Sequence, residues 1–151
     1  MYKLTSLSSQ GSGRTKVTSL EGLQYAKNLV TLDILGNEVA DFSPLKGLSK
    51  LETLLAHPQV IEMPMIYGKD SIFSIENKVI GLDGKKVNPE LIGIRNTKTG
   101  KEISVDVEQL VPNAEQFTIN LSEEDKGLYM VVIAYKVENN LLQIMTYLNN
   151  Y

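Results

Sequence analysis

Apolar residues recur at an interval of 22 through the first half of this 151-residue chain, and no other feature restricts the fold as strongly. Leu29 recurs as Leu51, Leu32 as Leu54 and Ile34 as Ala56. Val17 recurs as Val39 and again as Ile61, Leu20 as Phe42, Leu23 as Leu45 and Ala26 as Leu48. One step back from Leu29 stands Leu7, but Gln10 and Ser12 fall where Leu32 and Ile34 would be, so the first unit is degenerate. Leucines three and four apart also suit an amphipathic helix. Gly36-Asn37, Pro44 and Gly47 break any helix of useful length. The alternation instead predicts a short strand with Leu32 and Ile34 pointing inward and Thr31 and Asp33 outward.

The unit Leu29-Val-Thr-Leu32-Asp-Ile34-Leu-Gly-Asn37-Glu-Val39 resembles the leucine-rich repeat pattern LxxLxLxxNxL in its short bacterial, internalin-type form. Val39 to Leu51, with Phe42-Ser-Pro44 and Leu45, looks like the convex side and the entry into the next strand. Pro44 suits a tight turn where a missing backbone donor costs little. Asn37 is placed for its side-chain amide to bond the backbone of adjacent turns. About two and a half units are present, whereas a solenoid needs ~3 or more and a cap at each end.

After Leu54 the repeat dissolves: Gln59 takes the Asn position, Ile61 keeps register and Met63-Pro64-Met65 replaces Phe-Ser-Pro. Strands are expected over Val60 to Tyr67, Ser71 to Ile75, Val79 to Leu82, Leu91 to Arg95, Ile103 to Val107 and Gln116 to Leu121. Asp83-Gly84 signals a hairpin turn, and Leu128 to Val137 is expected to pair with Leu141 to Leu148. Some seven or eight strands at this spacing indicate a sandwich. Ser122 to Tyr129 resembles the segment entering strand F of immunoglobulin domains, with Ser122 and Asp125 at capping-box spacing. There Gly127 would supply an unusual backbone angle and Tyr129 a tyrosine corner, although Val131 stands where a cysteine is usual and no tryptophan is present. The resemblance therefore implies a mainly β chain, a short leucine-rich-repeat solenoid over residues 1–58 capped by an immunoglobulin-like β-sandwich over 59–151.

Composition excludes more than it selects. The net charge of −3 lacks the basic stripe of a nucleic-acid binder. Six basic and five acidic residues precede position 59, and nine basic and thirteen acidic follow, so neither half names a partner by charge. No cysteine means no disulfide, thiolate zinc site or cysteine nucleophile. No run approaches the ~18 apolar residues of a membrane span, and Met1-Tyr2-Lys3 does not open a secretion signal, so any signal or anchor is expected outside this chain.

Chemical motifs are weak. His57 is the only histidine, with no serine or cysteine elbow to serve. Gly11-Ser-Gly-Arg-Thr15-Lys16 lacks the phosphate-loop arrangement. Glu123-Glu124-Asp125 is better read as a solvated turn than as a calcium site. Many carboxylates are available for glycoside hydrolysis, but nothing selects a pair. Asn120-Leu121-Ser122 is a glycosylation sequon by pattern only. No enzyme, cofactor or metal site is expected.

By resemblance, the chain is expected to be a cell-surface adhesion module of internalin type, extracellular or wall-attached, with another protein as partner. The expected contact strip is the concave face: Thr31, Asp33, Leu35, Thr53, Leu55 and His57, in which Leu35 and Leu55 would anchor the partner unless a neighbouring segment covers them. Two alternatives stand beside it. One is a structural cap and spacer of a longer array. The other is a carbohydrate-binding accessory module of a secreted enzyme, which aromatic platforms would favour, though the seven tyrosines are scattered along the chain.

Overall fold

The computed structural model describes residues 3–122 and 126–150. Three strands come from the periodic half: β1 (Ser6–Ser8), β2 (Thr31–Asp33) and β3 (Thr53–Leu55), paired in parallel as one sheet in that order. Leu32 pairs with Leu54, a step of 22, but Leu7 pairs with Leu32 rather than Leu29, a step of 25. The chain returns through single 3-10 turns at Leu23–Tyr25 and Ser43–Leu45, the second carrying Pro44 near its start. The period is thus a real strand register over one step only.

Buried amides extend that register. Asn37 accepts from the Val17 amide at 2.8 Å and donates to the carbonyls of Ser9 and Ile34 at 2.6 and 2.9 Å. Twenty-two residues on, Gln59 accepts from the Val39 amide at 2.9 Å and donates to Ile34 and Ala56 at 2.7 Å each. Each side chain satisfies backbone groups that these short strands cannot pair, which is why both are buried without cost. Gly11 must be glycine for a related reason: a β-carbon there would collide with the Gly36 carbonyl.

The remaining strands are β4 (Gln59–Glu62), β5 (Ile66–Tyr67), β6 (Ile72–Glu76), β7 (Pro89–Asn96), β8 (Glu102–Ser104), β9 (Gln116–Asn120), β10 (Gly127–Val137) and β11 (Asn140–Asn150). A six-stranded sheet runs β4-β11-β10-β7-β8, with β5 also on β11; β4 and β5 are parallel to β11. The pair β6–β9 lies over it, and alternation places Phe73, Ile75, Phe117 and Ile119 against Ile92, Ile94, Val131, Ile133 and Ile144 in the core. Val79 to Leu82 forms only isolated bridges, Ile80 pairing with Asp41 and Lys86. The long hairpin turns at Glu138, whose φ of 52° is left-handed. Gly127 has φ 136°, and a β-carbon there would press on Asn96. The calcium reading of Glu123 to Asp125, and Asp125 of the capping reading with Ser122, lie outside the described residues.

The expected solenoid with a sandwich cap is therefore corrected. Three parallel strands of three residues make a small sheet, too short for a solenoid array. Its apolar row, from Leu29 to Ala56, belongs to one continuous core with the larger sheets. Among the described residues there is no α-helix. The architecture is a mainly β body of three sheets.

One core group lacks a partner. Tyr135 is fully buried on the inner side of β10, and among the described residues its hydroxyl makes no hydrogen bond. Burial disfavours the phenolate and pushes its pKa upward. Tyr135→Phe should therefore raise stability by about 1 kcal/mol, the desolvation cost of an unpaired hydroxyl. A raised folded-state pKa means the stability is intact below the unfolded tyrosine value of about 10 and is lost as pH rises above it. Urea midpoints at neutral pH and at pH values above 10 should show that fall in the parent and a weaker one in Tyr135→Phe. A lower neutral midpoint for the variant would mean the hydroxyl is satisfied.

Candidate functional site

An antiparallel sheet with one face on the core usually turns polar residues outward. The outer face of β10 and β11 also carries apolar and aromatic residues. Met130, Val132, Met145 and Tyr147 stand on it, because their alternate neighbours Tyr129, Val131, Ile133, Ile144, Thr146 and Leu148 are the buried ones. Cross-strand partners share a face, so the registers map this surface. One row runs Glu102, Arg95, Met130, Tyr147 across β8, β7, β10 and β11. A second row runs Leu128, Asn149, Tyr67 across β10, β11 and β5. Tyr67 and Tyr147 therefore occupy one face of adjacent strands, 74% and 39% exposed.

A rigid loop bounds this surface. Asn96 is buried, and its side-chain oxygen accepts from the amides of Lys98 and Thr99 at 3.0 and 2.9 Å. Gly100, at φ 72°, returns its amide to the Asn96 carbonyl at 3.0 Å. The Thr97 hydroxyl donates to the Leu128 carbonyl at 3.0 Å, tying the loop to β10. Between this loop and the sheet lies a cleft of about 490 Å³ lined by Arg95, Lys98, Met130 and Tyr147 among others. The Arg95 guanidinium, with five donors, makes no hydrogen bond or ion pair among the described residues. Rigid aromatic and thioether surface beside free donors suits a ligand with one apolar and one hydroxyl-bearing face.

Four residues of the strip expected from the repeats lie on the adjacent strands β2 and β3. Thr31 pairs with Thr53 and Asp33 with Leu55, and Leu55 is 43% exposed. Asp33 is occupied by its own chain: Gln10 donates to it at 2.8 Å, Ser8 at 3.2 Å and the Leu35 amide at 3.3 Å. These bonds, Gln10 foremost, hold its pKa below the usual carboxylate range. Leu35 is half-buried, and exposed His57 sets Nδ1 at 3.1 Å from the Leu141 carbonyl. Beside Leu55, at the outer edge of β3, a cleft of about 540 Å³ is rimmed by Glu52, Leu82 and Glu138. The sequence reading missed the tyrosine face, since Tyr67 and Tyr147 meet only through the parallel β5–β11 pairing. The readable signal was the run of methionine, valine and tyrosine at outward positions of the hairpin.

No group of three or more acidic or histidine side chains is placed to hold a metal among the described residues. Among the described residues no helix is long and apolar enough to cross a membrane.

No family model matches this chain, and no curated protein sequence does. Solved structures that match nearly all of it include two of the same protein. One holds the CBM51-2, in complex with GlcNAc, and INT domains of Clostridium perfringens ZmpB: 32% identity, TM-score 0.74, 98% of this chain and 30% of that one. The other holds the same two domains, at 32% identity, TM-score 0.75 and the same coverage. The chain thus spans 30% of the length of the structures it matches. These findings overturn the internalin resemblance, and with it the leucine-rich-repeat adhesion assignment: the similar structures are ZmpB domains, and the parallel sheet stops at three strands.

Proposed function

We propose that this chain is a non-catalytic accessory module of a larger extracellular protein, binding carbohydrate on the outer sheet face around Tyr67, Arg95 and Tyr147. The observation that carries the reading is that two exposed tyrosines share one sheet face with an arginine that has no partner among the described residues. A pyranose presents a flat C–H face to aromatic rings, while its hydroxyls take the donors of Arg95 and the loop. Support also comes from GlcNAc in a structurally similar protein that includes a carbohydrate-binding module, CBM51-2. A location outside the cell is part of the same proposal, supported by the likeness to domains of Clostridium perfringens ZmpB that include a carbohydrate-binding module.

The test is titration of GlcNAc into the full chain, followed by calorimetry or amide shifts. Shift changes should cluster on β10, β11 and residues 95–100. Tyr147→Ala should weaken binding by about tenfold or more, near 1.4 kcal/mol, with an unchanged melting temperature because the ring packs on no core. Undiminished affinity in Tyr147→Ala would remove this face from the reading.

A spacer role is the second reading, favoured by the stiff junction of the two halves through Gln59 and Asn140. It expects no saturable sugar binding at all. The strip Thr31, Asp33, Leu35, Thr53, Leu55 and His57 is proposed as a second contact surface of the module, with Leu55 and its cleft as the accessible part.

A further inference from the structure

Beside the tyrosine cleft the same sheet face sinks into a second hollow of about 450 Å³, mostly apolar, lined on that face by Leu91, Gly93, Ser104, Met130 and Val132. The depression exists because Gly93 stands in the row Ser104, Gly93, Val132, Met145, where every other position carries a side chain. Nothing in the backbone requires that glycine. Its φ is not left-handed, and a β-carbon would find no atom nearer than the Val132 carbonyl oxygen, at 3.9 Å. A glycine interior to a strand weakens it and leaves room for something to approach. The hollow borders the cleft, with Arg95 and Met130 lining both. Tyr147 and Gly93 are separated by two strands and one two-residue step, so strand geometry puts them roughly 12 Å apart. That span exceeds one pyranose ring.

We infer that the ligand of this face is an oligosaccharide of at least two units, with one ring against Tyr147 and the next seated in the hollow that Gly93 keeps open. The inference rests on the carbohydrate reading and adds the ligand's length and the residue that sets it. Its second subsite is apolar, so it takes the C–H face or an acyl substituent of the second ring. Arg95, at the seam, bonds the hydroxyls that both rings turn toward it.

The experiment compares GlcNAc with its β-1,4-linked dimer on the parent and on Gly93→Val, with Tyr147→Ala as a reference. Valine suits an extended strand, and its β-carbon enters the hollow with only the Val132 carbonyl oxygen near, at 3.9 Å, so the variant should melt no lower than the parent. In the parent, the dimer should bind about tenfold or more tighter than GlcNAc, because the second ring binds as part of a tethered ligand. Gly93→Val should erase the dimer's advantage over GlcNAc. A dimer no tighter than GlcNAc in the parent, or an undiminished dimer preference in Gly93→Val, overturns the inference. If GlcNAc binds and Tyr147→Ala abolishes it in either of those cases, the carbohydrate reading survives alone. If neither sugar binds the parent, both fall together.

Discussion

Gln59→Ala should lower the free energy of unfolding by about 3 kcal/mol, enough to remove a large share of the stability of a domain this size. The side chain is fully buried and answers groups from three segments: the Val39 amide and the carbonyls of Ile34 and Ala56. Alanine leaves them without partners in a site closed to water, and each buried orphan costs about 1–3 kcal/mol. The lost volume adds a cavity. Asn37→Ala should act through the same mechanism, since Asn37 makes the equivalent bonds to Val17, Ser9 and Ile34. Urea denaturation measures both, and a Gln59→Ala midpoint equal to the parent's would show that the amide is replaceable by water.

The largest effect is expected from cutting the chain. We propose 1–58 and 59–151 as units of sequence organisation that fold together. Residues 1–58 alone should show no cooperative thermal transition. The cut removes Gln59 from Val39 and Ile34, Asn140 from the Ala56 amide and the Leu54 carbonyl, and Ile80 from the backbone of Ala40 and Phe42. It also uncovers the apolar row Leu32, Ile34, Val39, Phe42 and Ala56, which three short strands cannot bury by themselves. Differential scanning calorimetry of the fragment is the check. A sharp transition at the parent's temperature would establish that the first half is autonomous.

Much of the local structure was legible from spacing. The apolar step of 22 predicts that Leu32 and Leu54 lie side by side, and Gln59 at the Asn position makes the bonds that position implies. Alternation in the last 25 residues predicts the hairpin of β10 and β11, and the described strands pair there from Gly127 to Asn150. Periodicity failed where its assumption failed. Leu7 was set against Leu29 by counting, but the chain from Gly11 to Thr15 folds into its own turn, with Ser12 bridging Thr15, and the register moves by three. The leucine pattern also suggested an array because leucine spacing reports only that strands stack. It carries no information on how many stack or on what closes the stack.

What the chain determined by itself is therefore what depends on near neighbours: the inward and outward sides of each strand, the turns at Pro44 and Glu138, and the absence of thiol chemistry. The candidate site depends on distant ones. Tyr67 and Tyr147 are brought to one face because β5 joins β11 in parallel, and Arg95 reaches them through β10. Strand pairing is set by the backbone hydrogen bonds and the packing of the whole sheet, which no window of sequence contains. Gly93 shows the limit most clearly. As a residue it reads as a weak point in a strand, and only the side chains that Ser104, Val132 and Met145 raise around it turn the missing one into a hollow.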